Sequence, residues 1–431
     1  MSKEIKVSII LPSLNVAEYI QNSINSVREQ SLEDIEIICV DAGSTDGTRE
    51  IIEENAKVDD RIIVVDSPIR SYGFQVNRGL EIANGEYIAI LETDDYVHPD
   101  MYARLYAVAS GEQLDYVKCD YTTYVFDDDG NKVFSNRKIS KNSNLYEDVF
   151  IPVELVETAY EDWYLWNGVY RTDFLKSHSI RFSETQGAAF QDIGFLHKST
   201  VSAKSAKYVP QSLYRYCVDR SEASSKSDKS LHFIRQEYGL LLDSIGDMCS
   251  AQEYTLLYSR MSKSFARACM DCSDEKLNTL EVVEIIKWFQ LKLIEAENRG
   301  YVTLERLPVG LRETYKHLTN PVAGYQAYRA KKIYEMRNFL GVNNPIVIFG
   351  CGMYGKEALE YVNSLGEDID FFMDNSRFLW GTKVNGIEVK CPETIEDMDK
   401  DTKYIIANEN YANEIASQIR SISPEAHICI Y

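Results

Sequence analysis

The stretch GEYIAILETDD, Gly85 to Asp95, decides the fold. Its apolar run, Tyr87 to Leu91, passes without a break into the acidic turn Glu92-Thr93-Asp94-Asp95. A run this short and this apolar predicts a strand buried on both faces, as in a parallel sheet. Upstream, Val7 to Leu11, Ile35 to Val40 and Ile62 to Val65 are runs of the same kind. Between the first two, Asn15 to Gln30 shows helical spacing through Ile20, Ile24 and Val27; a second helix follows Asp41-Ala42-Gly43-Ser44, with Thr45, Asp46 and Thr48 at its start. Apolar strands alternating with amphipathic helices predict an α/β fold with helices on both faces of the sheet. Ligands of such sheets bind beyond the carboxyl ends of the strands, where Pro12-Ser13, Asp41 and Glu92 to Asp95 all fall.

The chain has 431 residues, more than one ordinary core uses, and a globular composition of 45% hydrophobic and 26% charged residues. After Ser225 the texture changes. Residues 230–342 read as a helical module, with spacings such as Ile234-Tyr238-Leu241-Ile245 and Val282-Ile285-Ile286-Phe289, punctuated at Leu307-Pro308 and Asn320-Pro321. Residues 343–431 read as a small α/β domain of their own, leaving residues 1–229 as the first domain. The beginning, MSKEIKVSIILP, lacks a signal peptide's apolar core and cleavage site, and no apolar stretch is long enough to span a bilayer. A soluble cytoplasmic protein is expected. Nine cysteines without a repeating spacing argue for reduced thiols; the lone C-x-x-C, Cys269 and Cys272, sits in a helical pattern without the partners a zinc site needs. A net charge of −21 argues against a nucleic-acid partner.

Glu92-Thr93-Asp94-Asp95 has two readings: a solvated turn capping the next helix, or a seat for a hard divalent cation. Mg²⁺ or Mn²⁺ needs only one or two protein carboxylates when phosphate oxygens fill its other positions. An acidic protein that handles a diphosphate must neutralise it locally, and such a cation is the simplest means.

Three segments, VSIILPSLNVAEYIQNSINSVREQ, IEIICVDAGSTDGT and GEYIAILETDDYVHPDMY, resemble inverting glycosyltransferase family 2 in order and spacing. The resemblance implies a GT-A fold, a nucleotide-diphosphate sugar donor (a UDP-sugar foremost), and a glycan, lipid-linked or protein-linked acceptor in bacterial surface polysaccharide or glycoconjugate synthesis. It places Pro12, Ser13, Asn15 and Glu18 around the nucleoside and Asp41 at the base, with Gln75 and Asn77 also on the donor side. Glu92, Asp94 and Asp95 correspond to the family's D-x-D signature, with Mn²⁺ or Mg²⁺ as cofactor. Glu92 stands where the family commonly has Asp, and the Tyr72 to Gly79 stretch lacks the family's Ala-Arg-Asn.

Inversion in one displacement requires a base for the acceptor hydroxyl. The segments around Trp166 to Arg171, Ile180 to Glu184 and Phe190 to Phe195 resemble the family's acceptor side, and there the base maps to Asp192. The competing reading is a plain helix cap. Glu161, Asp162 and Glu184 are reserves; Trp163 and Trp166 are either a sugar platform or ordinary packing. Arg220, in a segment that resembles one closing over the diphosphate, is the candidate phosphate contact. His98 and His197 are read as structural. The alternative to an enzyme is a non-catalytic sugar-nucleotide-binding scaffold or regulator.

Near the carboxyl terminus, Gly350-x-Gly352-x-x-Gly355 follows a strand, opens a helix and precedes Asp374, the spacing of a dinucleotide fingerprint and hence of a second nucleotide site. The segment is similar to the small Rossmann-like domain preceding bacterial sugar acyltransferases. That similarity implies assembly or vestigial binding first, nucleotide-dependent regulation second, and NAD chemistry last. Homo-oligomerisation through the helical or carboxy-terminal segment and peripheral contact with the inner membrane face are compatible with this organisation.

Overall fold

The computed structural model describes residues 4–126, 131–218, 229–245, 250–270, 272–308, 311–312, 315, 333–341, 344–407 and 411–431. The chain forms two compact units: Met1–Tyr121, Ile139–Arg215 and Ser221–Gln326 make the first, and Thr122–Lys138, Tyr216–Arg220 and Ala327–Tyr431 the second.

Strands β1 (Val7–Ser13), β2 (Ile35–Asp41), β3 (Ile62–Asp66) and β4 (Tyr87–Ile90) form where the apolar runs predict them. They pair in parallel, with Ser13 opposite Asp41, Asp41 opposite Asp66, and Ile10 opposite Ile90. This register brings their carboxyl ends to one edge. Downstream come β5 (Tyr96–Val97), β6 (Tyr116–Phe126), β7 (Lys132–Arg137), β8 (Gly168–Arg171) and β9 (Ala206–Cys217). The order across the sheet is β3-β2-β1-β4-β8-β6-β9-β5, with β7 paired to β6 off this path. Strand β8 runs antiparallel to β4 and to β6, so the sheet is mixed. Val7, Ile9, Ile10, Leu11, Ile37 and Ile38 have no solvent exposure, which explains why these strands show no polar alternation.

Helices Ser230–Ile245, Ala251–Met270 and Leu280–Asn298 confirm the helical texture after Ser225, but they belong to the first compact unit. Ile234, Tyr238, Leu257, Met261 and Phe289 share one core with Ile193, from the helix Asp192–Ser202. An amphipathic helix must bury its apolar stripe, and here part of the partner surface comes from before residue 230. Cys269 and Cys272 are buried in the same core. Among the described residues no helix is long and apolar enough to cross a membrane.

The second unit holds β10 (Ile346–Phe349), β11 (Phe371–Met373), β12 (Lys383–Val384), β13 (Ile387–Lys390), β14 (Lys403–Ile406) and β15 (His427–Ile430), in the order β12-β13-β11-β10-β14-β15. All neighbours are parallel except the β12–β13 hairpin. Residues 343–431 do not make up this unit alone. Val125 and Val133, from the end of β6 and from β7, are buried with Ile348, Phe372 and Val389. Val125 stands between Tyr124 and Phe126 and Val133 between Lys132 and Phe134, on paired strands far upstream, so nothing local marked them as core of this unit.

Candidate active site

The loops after β1 and β2 are sewn together by side chains. Asp41 is buried (4% exposed) and accepts from the backbone N–H groups of Gly43 and Ser44 at 3.1 and 3.2 Å and from the Ser44 hydroxyl. Ser44 Oγ accepts from the Asn15 N–H at 2.9 Å, and Asn15 Oδ1 from the Thr45 N–H at 2.9 Å. Asn15 sits at φ 53°, a left-handed geometry that asparagine tolerates better than most residues. Pro12 and Ser13 are buried, while Asn15 and Glu18 face solvent. Gln75 and Asn77 lie inside the frame rather than on its surface. The Gln75 amide donates to the carbonyls of Ser13 (2.8 Å) and Val40 (2.7 Å), fastening the ends of β1 and β2. Asn77 exchanges hydrogen bonds with the Phe182 backbone and donates to Glu184 at 2.9 Å, which employs that reserve carboxylate structurally.

The acidic turn splits into three roles. Asp95 is fully buried; its Oδ2 accepts from the Tyr214 hydroxyl at 2.9 Å, and its N–H bonds the Glu92 carbonyl. Behind it, Ser23 Oγ donates to the carbonyls of Thr93 and Asp95, and Thr93 Oγ1 to that of Pro12 at 3.0 Å. Glu92 is half-buried and accepts from the Tyr72 hydroxyl at 2.6 Å. Asp94, between them, is also half-buried. The Tyr214 ring stacks on Trp166 with centroids 4.1 Å apart, and Trp166 is only 6% exposed, so this tryptophan packs the wall behind Asp95. Trp163 is half-buried beside Lys263.

Asp192 opens the helix Asp192–Ser202 and is half-buried. Burial first, with the nearby Glu237 carboxylate adding to it, pushes its carboxyl up to about 6. Its position is fixed by Gln191, 1% exposed, whose Oε1 accepts from the Gly73 N–H at 2.8 Å and whose amide donates to the Thr185 carbonyl and hydroxyl. Gly73 is obligatory at this contact, since a Cβ there would lie 1.8 Å from the Ser183 carbonyl oxygen. Tyr72 donates to Glu92 from the same turn as Gly73. Its hydroxyl is raised well above the ordinary tyrosine range by burial first, then by Glu92, with Asp192 adding to the effect.

Of the reserve bases, Asp162 is buried and holds Lys118 at 2.7 Å, with Tyr208 also donating to it, so it is committed to an internal ion pair. Glu161 is exposed, near Lys263 at 3.8 Å. His197 is buried and neutral, its pKa pushed down to about 3 by burial; His98 accepts from the Asp100 N–H. Arg220 and the Ser221–Ser225 stretch lie outside the described residues, as does Asn343. Tyr72, Tyr214, Gln191 and Glu237 escaped the sequence reading. Their partners lie 6 to 122 residues away, and tyrosine, at 29 copies, carries no distinguishing signal.

Residues 8–160, which include the acidic turn after the parallel strands, match the model of Glycosyl transferase family 2. The chain carries a family 2 glycosyltransferase domain at its amino-terminal end. "Putative glycosyltransferase EpsH" of Bacillus subtilis (strain 168) is 30% identical over 230 residues, 52% of this chain and 64% of that protein. "Uncharacterized glycosyltransferase EpsJ" of the same organism is 33% identical over 219 residues, 49% of this chain and 60% of its own length. The match thus spans about three fifths of these relatives. Among solved structures, S. aureus TarS 1-349 in complex with UDP-GlcNAc superposes with a TM-score of 0.58 at 19% identity, over 76% of this chain and 92% of that one. The first sheet is therefore a GT-A fold, followed by a second, smaller α/β sheet.

Proposed function

We propose that this chain is an inverting glycosyltransferase moving a sugar from a nucleoside-diphosphate donor, a UDP-sugar, to a glycan, lipid-linked or protein-linked acceptor in bacterial surface polysaccharide or glycoconjugate synthesis. The observation that supports the reading is the Tyr72-Gly73 corner, where the Tyr72 hydroxyl donates to Glu92 at 2.6 Å and the Gly73 N–H to Gln191, the neighbour of Asp192, at 2.8 Å. The complex of TarS with UDP-GlcNAc supports a UDP-sugar as donor.

In this mechanism the interlocked Asn15 and Asp41 loops, with Pro12, Ser13 and Glu18, hold the nucleoside. Among the described residues no three acidic, cysteine or histidine side chains gather as a metal cage. A cation shared with donor phosphates needs only one or two protein carboxylates. Asp94 and Glu92 would hold Mg²⁺ or Mn²⁺, and the ion supplies charge neutralisation to the departing diphosphate. Asp95, locked under Tyr214, fixes the turn rather than reaching the ion. Asp192 takes the proton from the acceptor hydroxyl as that oxygen attacks the anomeric carbon opposite the leaving group. A carboxyl raised to about 6 is a stronger base than an exposed aspartate yet remains ionised at neutral pH. Asp192 is the first residue of its helix, whose N-cap is Gln191 without a side-chain cap bond.

Incubation with a panel of UDP-sugars, Mn²⁺ and glycan acceptors checks the reading. UDP release with an inverted anomeric product is expected. Donor binding without turnover across the panel leaves the scaffold reading in its place, and full turnover by Asp192→Asn or retention at the anomeric carbon removes the proposed mechanism.

A further inference from the structure

In the second unit β10 lies between β11 and β14; the chain builds β11 to β13 on one side of it and then crosses to β14 on the other. The carboxyl end of such a strand opens a crevice, the place where parallel sheets take ligands. The loop filling that end begins at Gly350, at φ 99°, whose N–H bonds the Met373 carbonyl. Helix Met353–Ser364 starts directly after Gly352. Gly355 tucks against the loop so closely that a Cβ would lie 2.1 Å from the Gly350 carbonyl oxygen. The first-turn N–H groups of a helix lack intrahelical partners, and the helix dipole makes that end positive. This first turn contains no acidic residue.

Arg137, the last residue of β7, reaches this helix start. Its guanidinium stands 4.7 Å from the centroid of the Tyr354 ring, and Nη2 lies 3.9 Å from where a Cβ on Gly352 would be. The side chain is 3% exposed, yet Nε and Nη1 find no hydrogen-bond partner among the described residues. A buried guanidinium with two unbonded nitrogens is costly, and its charge beside the positive end of a helix adds repulsion. Both costs vanish if an anion sits between them. Asp374, at the end of β11, is half-buried and accepts from the Cys351 and Ser376 N–H groups, which places a further acceptor beside the loop.

We propose that the glycine loop and Arg137 form an anion site for a diphosphate-bearing small molecule, distinct from the donor site of the first unit. Arg137 offers charge and two donors, the helix start offers backbone N–H groups, and Asp374 faces the sugar end when the molecule is a nucleotide.

The test uses the full chain in EDTA, which silences the cation-dependent donor site, with inorganic pyrophosphate and ADP as calorimetric titrants. Both should bind saturably. Arg137→Gln should weaken binding at least tenfold and Arg137→Lys less, while Asp94→Ala leaves it unchanged. Tighter binding of ADP than of pyrophosphate assigns the site to nucleotides, and equal binding assigns it to the diphosphate group alone. If Arg137→Gln melts early, wild-type chain labelled with ¹⁵N-glycine decides: pyrophosphate should shift the Gly352 and Gly355 amides. Absence of saturable binding, equal affinity in a folded Arg137→Gln, or unmoved glycine amides would overturn the proposal.

Discussion

Each unit brings the carboxyl ends of parallel strands to one edge, and the two edges carry opposite charge. In the first, Glu92, Asp94 and Asp95 follow β4; in the second, glycines follow β10 and Arg137 stands beside Gly352. A carboxylate edge binds a diphosphate only through a cation, so its affinity is conditional on a metal. A glycine-and-arginine edge meets the same group directly. The chemistry differs accordingly: charge that builds on a leaving group calls for a Lewis acid, whereas plain retention of a ligand does not.

The comparison breaks most visibly at Asp192. Asp192→Asn should lower turnover by about a thousandfold with donor affinity kept, measured as kcat against donor Kd. The pH profile carries the same assignment. The base must be ionised, so kcat should fall as pH drops through about 6. Stability runs the other way: the folded pKa lies above the unfolded one, so stability from this group is greatest below about 4 and declines as pH rises through 6. Asp192→Asn should therefore raise Tm at pH 7, and the gain should disappear in acid. Next in size, Asp94→Ala or chelation should cost on the order of a hundredfold in turnover, restored by Mn²⁺ only in the parent chain. Tyr72→Phe should cost about tenfold, because Glu92 loses its 2.6 Å donor while the fold is kept. The smallest expected effect belongs to Glu237, whose carboxylate accepts from Ser183 and Thr185 and raises Asp192. Glu237→Gln should move the acid limb of the kcat profile to lower pH by a few tenths of a unit; an upward shift would mean that Glu237 does not act on Asp192 through charge.

The strands of the first edge were legible because burial on both faces leaves an uninterrupted apolar run, as Tyr87 to Leu91 displays. The acidic turn and Asp192 were legible as residue types in register with the family pattern. Their support was not. Gln191 meets Gly73 across 118 residues, and Tyr214 meets Asp95 across 119, contacts that exist only once the sheet has closed. Gln75 and Asn77, placed on the donor side by the resemblance, bond the buried carbonyls of Ser13, Val40 and Phe182, partners no local pattern announces. Arg137 was the hardest to see. It follows a hairpin with nothing nearby in sequence to announce a helix start more than two hundred residues downstream.

That hairpin also governs how the chain can be divided. A fragment beginning at residue 343 would lose Val125 and Val133 from its own core and Arg137 from the glycine loop, so it would be short of both apolar cover and its cationic side chain. A chain stopped at residue 326 would keep the hairpin but strand those valines in water. The second unit is thus not a detachable tail. It is threaded through the first in sequence, so deletion series, proteolytic dissection and domain transplantation should all respect residues 122–138 as its inseparable part.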